Sequence, residues 1–171
     1  MDDTWIPQTS QEWARWLSGE DQKTTQAYLA KPATLIADYN RELATTRAYE
    51  GREILELLQN AADQARLSDE QGKVAIELLP EGLVVANTGA PFSVGGVSSL
   101  QTAHLSPKRH SGRRYIGNKG LGFRSVLNWT RSPLILSGAL SLVYTRQVAE
   151  SKLGDLAADS EELASLVAAE R

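Results

Sequence analysis

The sequence predicts an α+β fold, a two-layer sandwich of helices against a mixed, mostly antiparallel sheet. Two observations carry this. The first third repeats apolar residues at helical spacing, and two pairs of short β-rich runs, Lys73–Leu79 with Leu83–Asn87 and Leu134–Ser137 with Leu140–Arg146, are each joined by a few residues. Such hairpins pair antiparallel, which favours layered α+β over a doubly wound parallel sheet.

The elements follow in order. Thr9 or Ser10 is placed to cap a short helix carrying Trp13, Trp16 and Leu17 and ending near Gly19. After Pro32, Leu35, Ile36, Tyr39, Leu43 and Thr46 mark a second helix. Gly51 separates or bends it from a third, expected from about Arg52 to Leu67. Pro80-Glu81-Gly82 joins the first pair of strands. Residues 93–116 are rich in Gly and Ser and lack periodicity, so a long loop is expected there. A helix to about Trp129 follows a glycine-rich turn, and the tail, 150–171, reads as a last helix capped by Asp159 or Ser160. Nothing resembling a repeat or linker divides the 171 residues, so one domain is expected.

Composition removes several classes of function. With no cysteine there is no disulfide framework, thiolate metal site or cysteine nucleophile, and two histidines, His104 and His110, are too few for a histidine zinc site without carboxylates. No apolar run reaches the roughly 20 residues of a membrane span, and the acidic start Met1-Asp2-Asp3 is unlike a signal peptide. A cytoplasmic protein with no membrane partner is expected. All 21 acids lie in 1–81 or 150–171, whereas residues 82–149 carry only cations: Lys108, Arg109, Arg113, Arg114, Lys119, Arg124, Arg131 and Arg146. An acid-free basic stretch suits an anionic ligand, or pairs with acids of the flanking segments.

Chemistry concentrates in three places. On the third helix, at about 100° per residue, Glu56, Asn60 and Asp63 fall within roughly 60° of one another, opposite Ile54, Leu58, Ala61, Ala62 and Ala65. That array could activate water and hold a hard cation, or it is the solvated face of an ordinary amphipathic helix. Next, the strand Leu83–Ala86 runs into Asn87-Thr88-Gly89, where a polar side chain at a turn could read the edge of a planar base. An Asn-x-Gly turn alone gives the same pattern. Third, Gly117-Asn118-Lys119-Gly120-Leu121-Gly122-Phe123 precedes an apolar helix, so bare backbone N–H groups and the Lys119 charge could meet phosphate oxygens. It is neither a P-loop nor a Rossmann turn.

In this order and spacing, Glu56…Asn60…Asp63, Asn87-x-Gly89 and Gly117-x-x-Gly120-x-Gly122-Phe123 resemble the ATP-binding domain of the GHKL superfamily (gyrase, Hsp90, histidine kinase, MutL). The wording is most similar to the Hsp90-like domains of the sacsin and NO VEIN group, over about residues 33–146. The resemblance implies a Bergerat-type sandwich with a helical extension at 1–32 and a lid at 93–116. It implies ATP and Mg²⁺ as cofactors, Glu56 as general base and Asn60 as metal ligand. Asp63, Asn87, Gly89, Gly117, Lys119, Gly120, Leu121, Gly122 and Phe123 would line the nucleotide. Asn87 stands where the family has an adenine-reading Asp, and Pro91 where many relatives have Gly. After Arg146 no counterpart is evident for the family's later strand with a phosphate-contacting Thr. Truncation, or completion of the fold by further domains or a partner, is therefore expected.

The function so implied is Mg-ATP binding with slow hydrolysis, lid closure driving a change in a larger protein or complex. Alternatives are a nucleotide-dependent scaffold without turnover and, less favoured, a nucleic-acid binder using 82–149, whose cations interleave with few aromatics. A histidine kinase fits poorly, because both histidines follow the Asn60 box. An ATP-dependent dimer stays open.

Overall fold

In the computed structural model, residues 2–68, 71–101 and 122–169 are described. The fold is α+β. Its order is α1 (Ser10–Ala30), α2 (Ala33–Ala48), α3 (Glu53–Leu67), β1 (Val74–Leu79), β2 (Gly82–Asn87), α4 (Val94–Gln101), a 3-10 helix (Gly122–Asn128), β3 (Leu134–Ser137), β4 (Leu140–Val143), α5 (Arg146–Asp159) and α6 (Glu161–Ala169). Among the described residues the strands form two separate two-stranded antiparallel sheets, β1–β2 and β3–β4, where one mixed sheet was expected. No helix among them is long and apolar enough to cross a membrane. The chain divides into two compact units, Met1–Ile6 with Thr45–Val126 and Pro7–Ala44 with Leu127–Arg171.

In the second unit, Thr9 caps α1: its hydroxyl accepts from the Glu12 N–H at 3.2 Å, and the Glu12 carboxylate accepts from the Thr9 N–H at 3.1 Å. The helix does not stop near Gly19 but runs on to Ala30. Most residues after Gly19 are good helix formers, Lys23 pairs with Glu20 at 2.6 Å, and Pro32 sets the end. Trp13 and Trp16 are buried in edge-to-face contact, ring centroids 5.7 Å apart. The β3–β4 hairpin alternates as a half-buried sheet should: Ile135 and Leu140 are buried, Leu134 and Leu136 exposed. The Ser10 hydroxyl donates to the Ala139 carbonyl at 3.2 Å, tying α1 to the hairpin's turn.

The tail departs from the expected single helix. The strand ends at Val143, because the Thr145 hydroxyl caps α5 by accepting from the Val148 N–H at 3.2 Å. Ser160 then adopts an extended conformation, and its hydroxyl accepts from the Leu163 N–H, starting α6. Leu156 and Leu163 are both buried.

In the first unit, Gly51 takes φ +78° and breaks α2 from α3. β1 and β2 pair from Val74↔Asn87 to Leu79↔Gly82, leaving Pro80-Glu81 as a two-residue connection. Both strands are exposed along their length except at Val85. The expected loop at 93–116 is corrected at its start: residues 94–101 form α4, with Val94, Val97, Ser99 and Leu100 buried. A lid can therefore begin no earlier than the end of this core helix; residues 102–116 lie outside the described residues.

One prediction concerns α1. An added Cβ at Gly19 meets nothing within 4 Å. Gly19→Ala should stabilise the protein by about 0.8–1 kcal/mol, the difference in helix propensity, read as a higher denaturant midpoint at unchanged slope.

Candidate functional site

The third helix presents its polar face inward. Glu53, Glu56 and Asp63 are only 2%, 3% and 1% exposed, whereas Leu55 and Leu58 on the same helix are 48% and 38% exposed. An ordinary amphipathic helix does the reverse, so the solvated-face reading fails for Glu56 and Asp63. Asn60, between the two acids on this face, is half-buried.

Local contacts fix the entry to the helix. The Glu53 carboxylate accepts from the Gly51 N–H at 3.1 Å, holding the left-handed bend against the first turn. Arg52 lies over the Tyr49 ring, 5.4 Å from its centroid, and its guanidinium reaches the Glu56 carboxylate at 3.5 Å. Glu56 is thus held by the cation that precedes its helix, with the Arg52 side chain 54% exposed. Sequence reasoning passed over Glu53. An acidic residue in the first turn after a glycine bend was the available signal.

The Asn87-Thr88-Gly89 turn abuts the same helix. Gly89 has φ +125°, and a Cβ there would lie 3.0 Å from the Gln64 carbonyl carbon and 3.1 Å from its Cβ. Glycine is needed twice over, for the dihedral and for the approach. The turn leaves the sheet through Thr88, whose N–H donates to the Lys73 carbonyl at 3.0 Å and whose hydroxyl accepts from the Lys73 N–H at 2.9 Å. The exposed Asn87 side chain donates from Nδ2 to the Thr88 carbonyl at 3.0 Å, which orients the amide. The first two motifs therefore meet where Gly89 touches the residue after Asp63.

The third motif is only partly within the described residues. Gly117, Lys119, Gly120 and Leu121 lie outside them; Gly122 and Phe123 open the 3-10 helix Gly122–Asn128, with Phe123 half-buried. That helix is tighter than the α-helix expected. Arg124 belongs to the basic stretch, yet it is 7% exposed and donates to the Leu100 carbonyl at 2.8 Å. It satisfies a carbonyl in the last turn of α4, one that no intrahelical N–H reaches.

Donor chemistry bears on a metal. Among the described residues no group of three or more His, Asp or Glu could hold an ion. An amide oxygen flanked by carboxylates one turn away suits Mg²⁺, which keeps waters and takes phosphate oxygens in preference to a full protein cage. The residues fit an ion that brings ligands of its own better than one caged by the protein.

Over 101 residues the chain is 33% identical to Protein NO VEIN of Arabidopsis thaliana, a match covering 59% of this chain and 4% of that protein. No family model matches the chain, and no solved structure matches it.

The site makes one stability prediction. Gly89→Ala should cost on the order of 1–3 kcal/mol, from an unfavourable dihedral and contact with α3. Chemical denaturation of the variant, with a lower midpoint at unchanged slope, is the measurement.

Proposed function

We propose that the chain is a Mg²⁺–ATP-binding module of the GHKL, Hsp90-like kind that hydrolyses ATP slowly and couples nucleotide state to conformational change in a larger protein or complex. The observation that carries this reading is the inward-facing row of Glu56, Asn60 and Asp63 against the Asn87–Gly89 turn. A helix that buries three of its acids and exposes Leu55 gives up apolar burial for a polar interior, a pattern that clusters at functional sites. The partial likeness to Protein NO VEIN supports the same reading.

Each residue then has a task. Glu56 orients the attacking water and accepts its proton. Asn60 is the side chain that would hold Mg²⁺; the ion, when bound, neutralises phosphate oxygens. Asp63 accepts hydrogen bonds beside the nucleotide. The Asn87 amide oxygen accepts from the adenine amino group, while its Nδ2 stays on the Thr88 carbonyl. A neutral acceptor gives up about 1 kcal/mol against a carboxylate. Catalysis of this type rests on positioning and electrostatics, with no covalent intermediate.

A second reading, a scaffold that binds nucleotide without turnover, is favoured by the Arg52–Glu56 ion pair at 3.5 Å, since the guanidinium competes with a water for one of the two carboxylate oxygens.

Titration calorimetry with ATP, with and without Mg²⁺, should give binding that Asn60→Ala weakens by about tenfold to a hundredfold in the presence of the metal, the scale of one bond to a charged group. In Glu56→Gln, binding should persist while phosphate release disappears. Hydrolysis at the wild-type rate in that variant would remove Glu56 from its role; absence of hydrolysis in the parent, with binding intact, selects the scaffold. No heat with either nucleotide form would sink both readings.

A further inference from the structure

The start of α4 is completed from a distant part of the chain. The Val94 N–H donates to the Trp5 carbonyl at 2.9 Å, and the Gly95 N–H to the Asp3 carbonyl at 3.0 Å. The next two donors are satisfied locally, Gly96 N–H by the Ser93 hydroxyl at 3.2 Å and Val97 N–H by the Ser93 carbonyl at 3.0 Å. Val94 and Gly95 are both buried, so their amides cannot turn to water instead. The fit is close: a Cβ at Gly95 would stand 2.7 Å from the Asp3 carbonyl oxygen and 2.8 Å from its Cβ.

Residues 2–5 carry their own shape. The Trp5 N–H donates to the Asp2 carbonyl at 3.0 Å, and the Asp2 carboxylate accepts from the Thr4 N–H at 2.9 Å and the Thr4 hydroxyl at 2.8 Å. Asp2, Asp3 and Thr4 are exposed, while Trp5 and Ile6 are half-buried. The segment is thus a preformed turn laid on a buried helix end, with solvent along its outer side.

We infer that residues 2–6 are a detachable strap: they fix the start of α4 through its first two amides, and can leave without unfolding the helix. The inference stands apart from the nucleotide reading.

Residue-resolved hydrogen exchange on the full chain tests it. Gly95→Ala improves helix propensity, so an unstrapped helix would gain from it, as α1 gains from Gly19→Ala. Here the added Cβ collides with Asp3, and the amides at 94 and 95 should exchange at least tenfold faster while those of Gly96 and Val97 keep their protection. A chain lacking residues 2–6 should give the same pattern. Should Gly95→Ala not fold, Val94→Pro serves: it removes one donor at a helix position that tolerates proline, and exchange at Gly95 should rise at least tenfold. Unchanged protection of Val94 in the shortened chain overturns the strap, as does Gly95→Ala that raises Tm with exchange unaltered. Equal acceleration at Gly96 and Val97 also overturns it, since the segment would then be no separable element.

Discussion

The orientation of α3 is the constraint around which the first unit is arranged. Turning Glu53, Glu56 and Asp63 inward withdraws three carboxylates from water, at several kcal/mol for each ion, and leaves Leu55 and Leu58 without the 1.5–3 kcal/mol that full burial of each would supply. An arrangement that costs on both sides must be held by specific contacts. Gly51 and Arg52 supply two of these at the helix entry, and Gly89 lets the turn after β2 press against the other end.

Much of this was legible in the residues. The Asn87-x-Gly89 spacing marked a turn that requires glycine, and the positive φ and the close approach to Gln64 give the reason. Both hairpins announced themselves through β-rich runs beside tight connections, and the register from Val74↔Asn87 to Leu79↔Gly82 follows from a two-residue loop. That Glu56, Asn60 and Asp63 share a helix face was arithmetic at 3.6 residues per turn. Which way the face points was not, because hydrophobic patterning assumes that leucines go inside.

Elsewhere local signals misled. Gly19 looked like a helix end, yet one glycine costs only about 1 kcal/mol, less than the run of helix formers beyond it returns. Val94–Gln101 looked like loop because glycine and serine predominate, but Gly95 is there for the approach of Asp3, and Ser93 and Ser99 satisfy their hydroxyls on nearby backbone. Arg124 read as a surface cation for an anion; its guanidinium is buried against the end of α4. Gly95 and Arg124 answer to partners outside their own segments, Asp3 and Leu100, which periodicity within a window does not reveal.

Both units are discontinuous, and this sets a schedule for synthesis. The opening residues leave the ribosome first, yet their seat on α4 emerges almost ninety residues later, after Pro7–Ala44 has begun a unit that itself waits for Leu127 onward. Nascent chains commonly fold domain by domain from the N-terminus. Here neither unit can close early, and α1 emerges well before the β3–β4 hairpin whose turn Ser10 meets at Ala139.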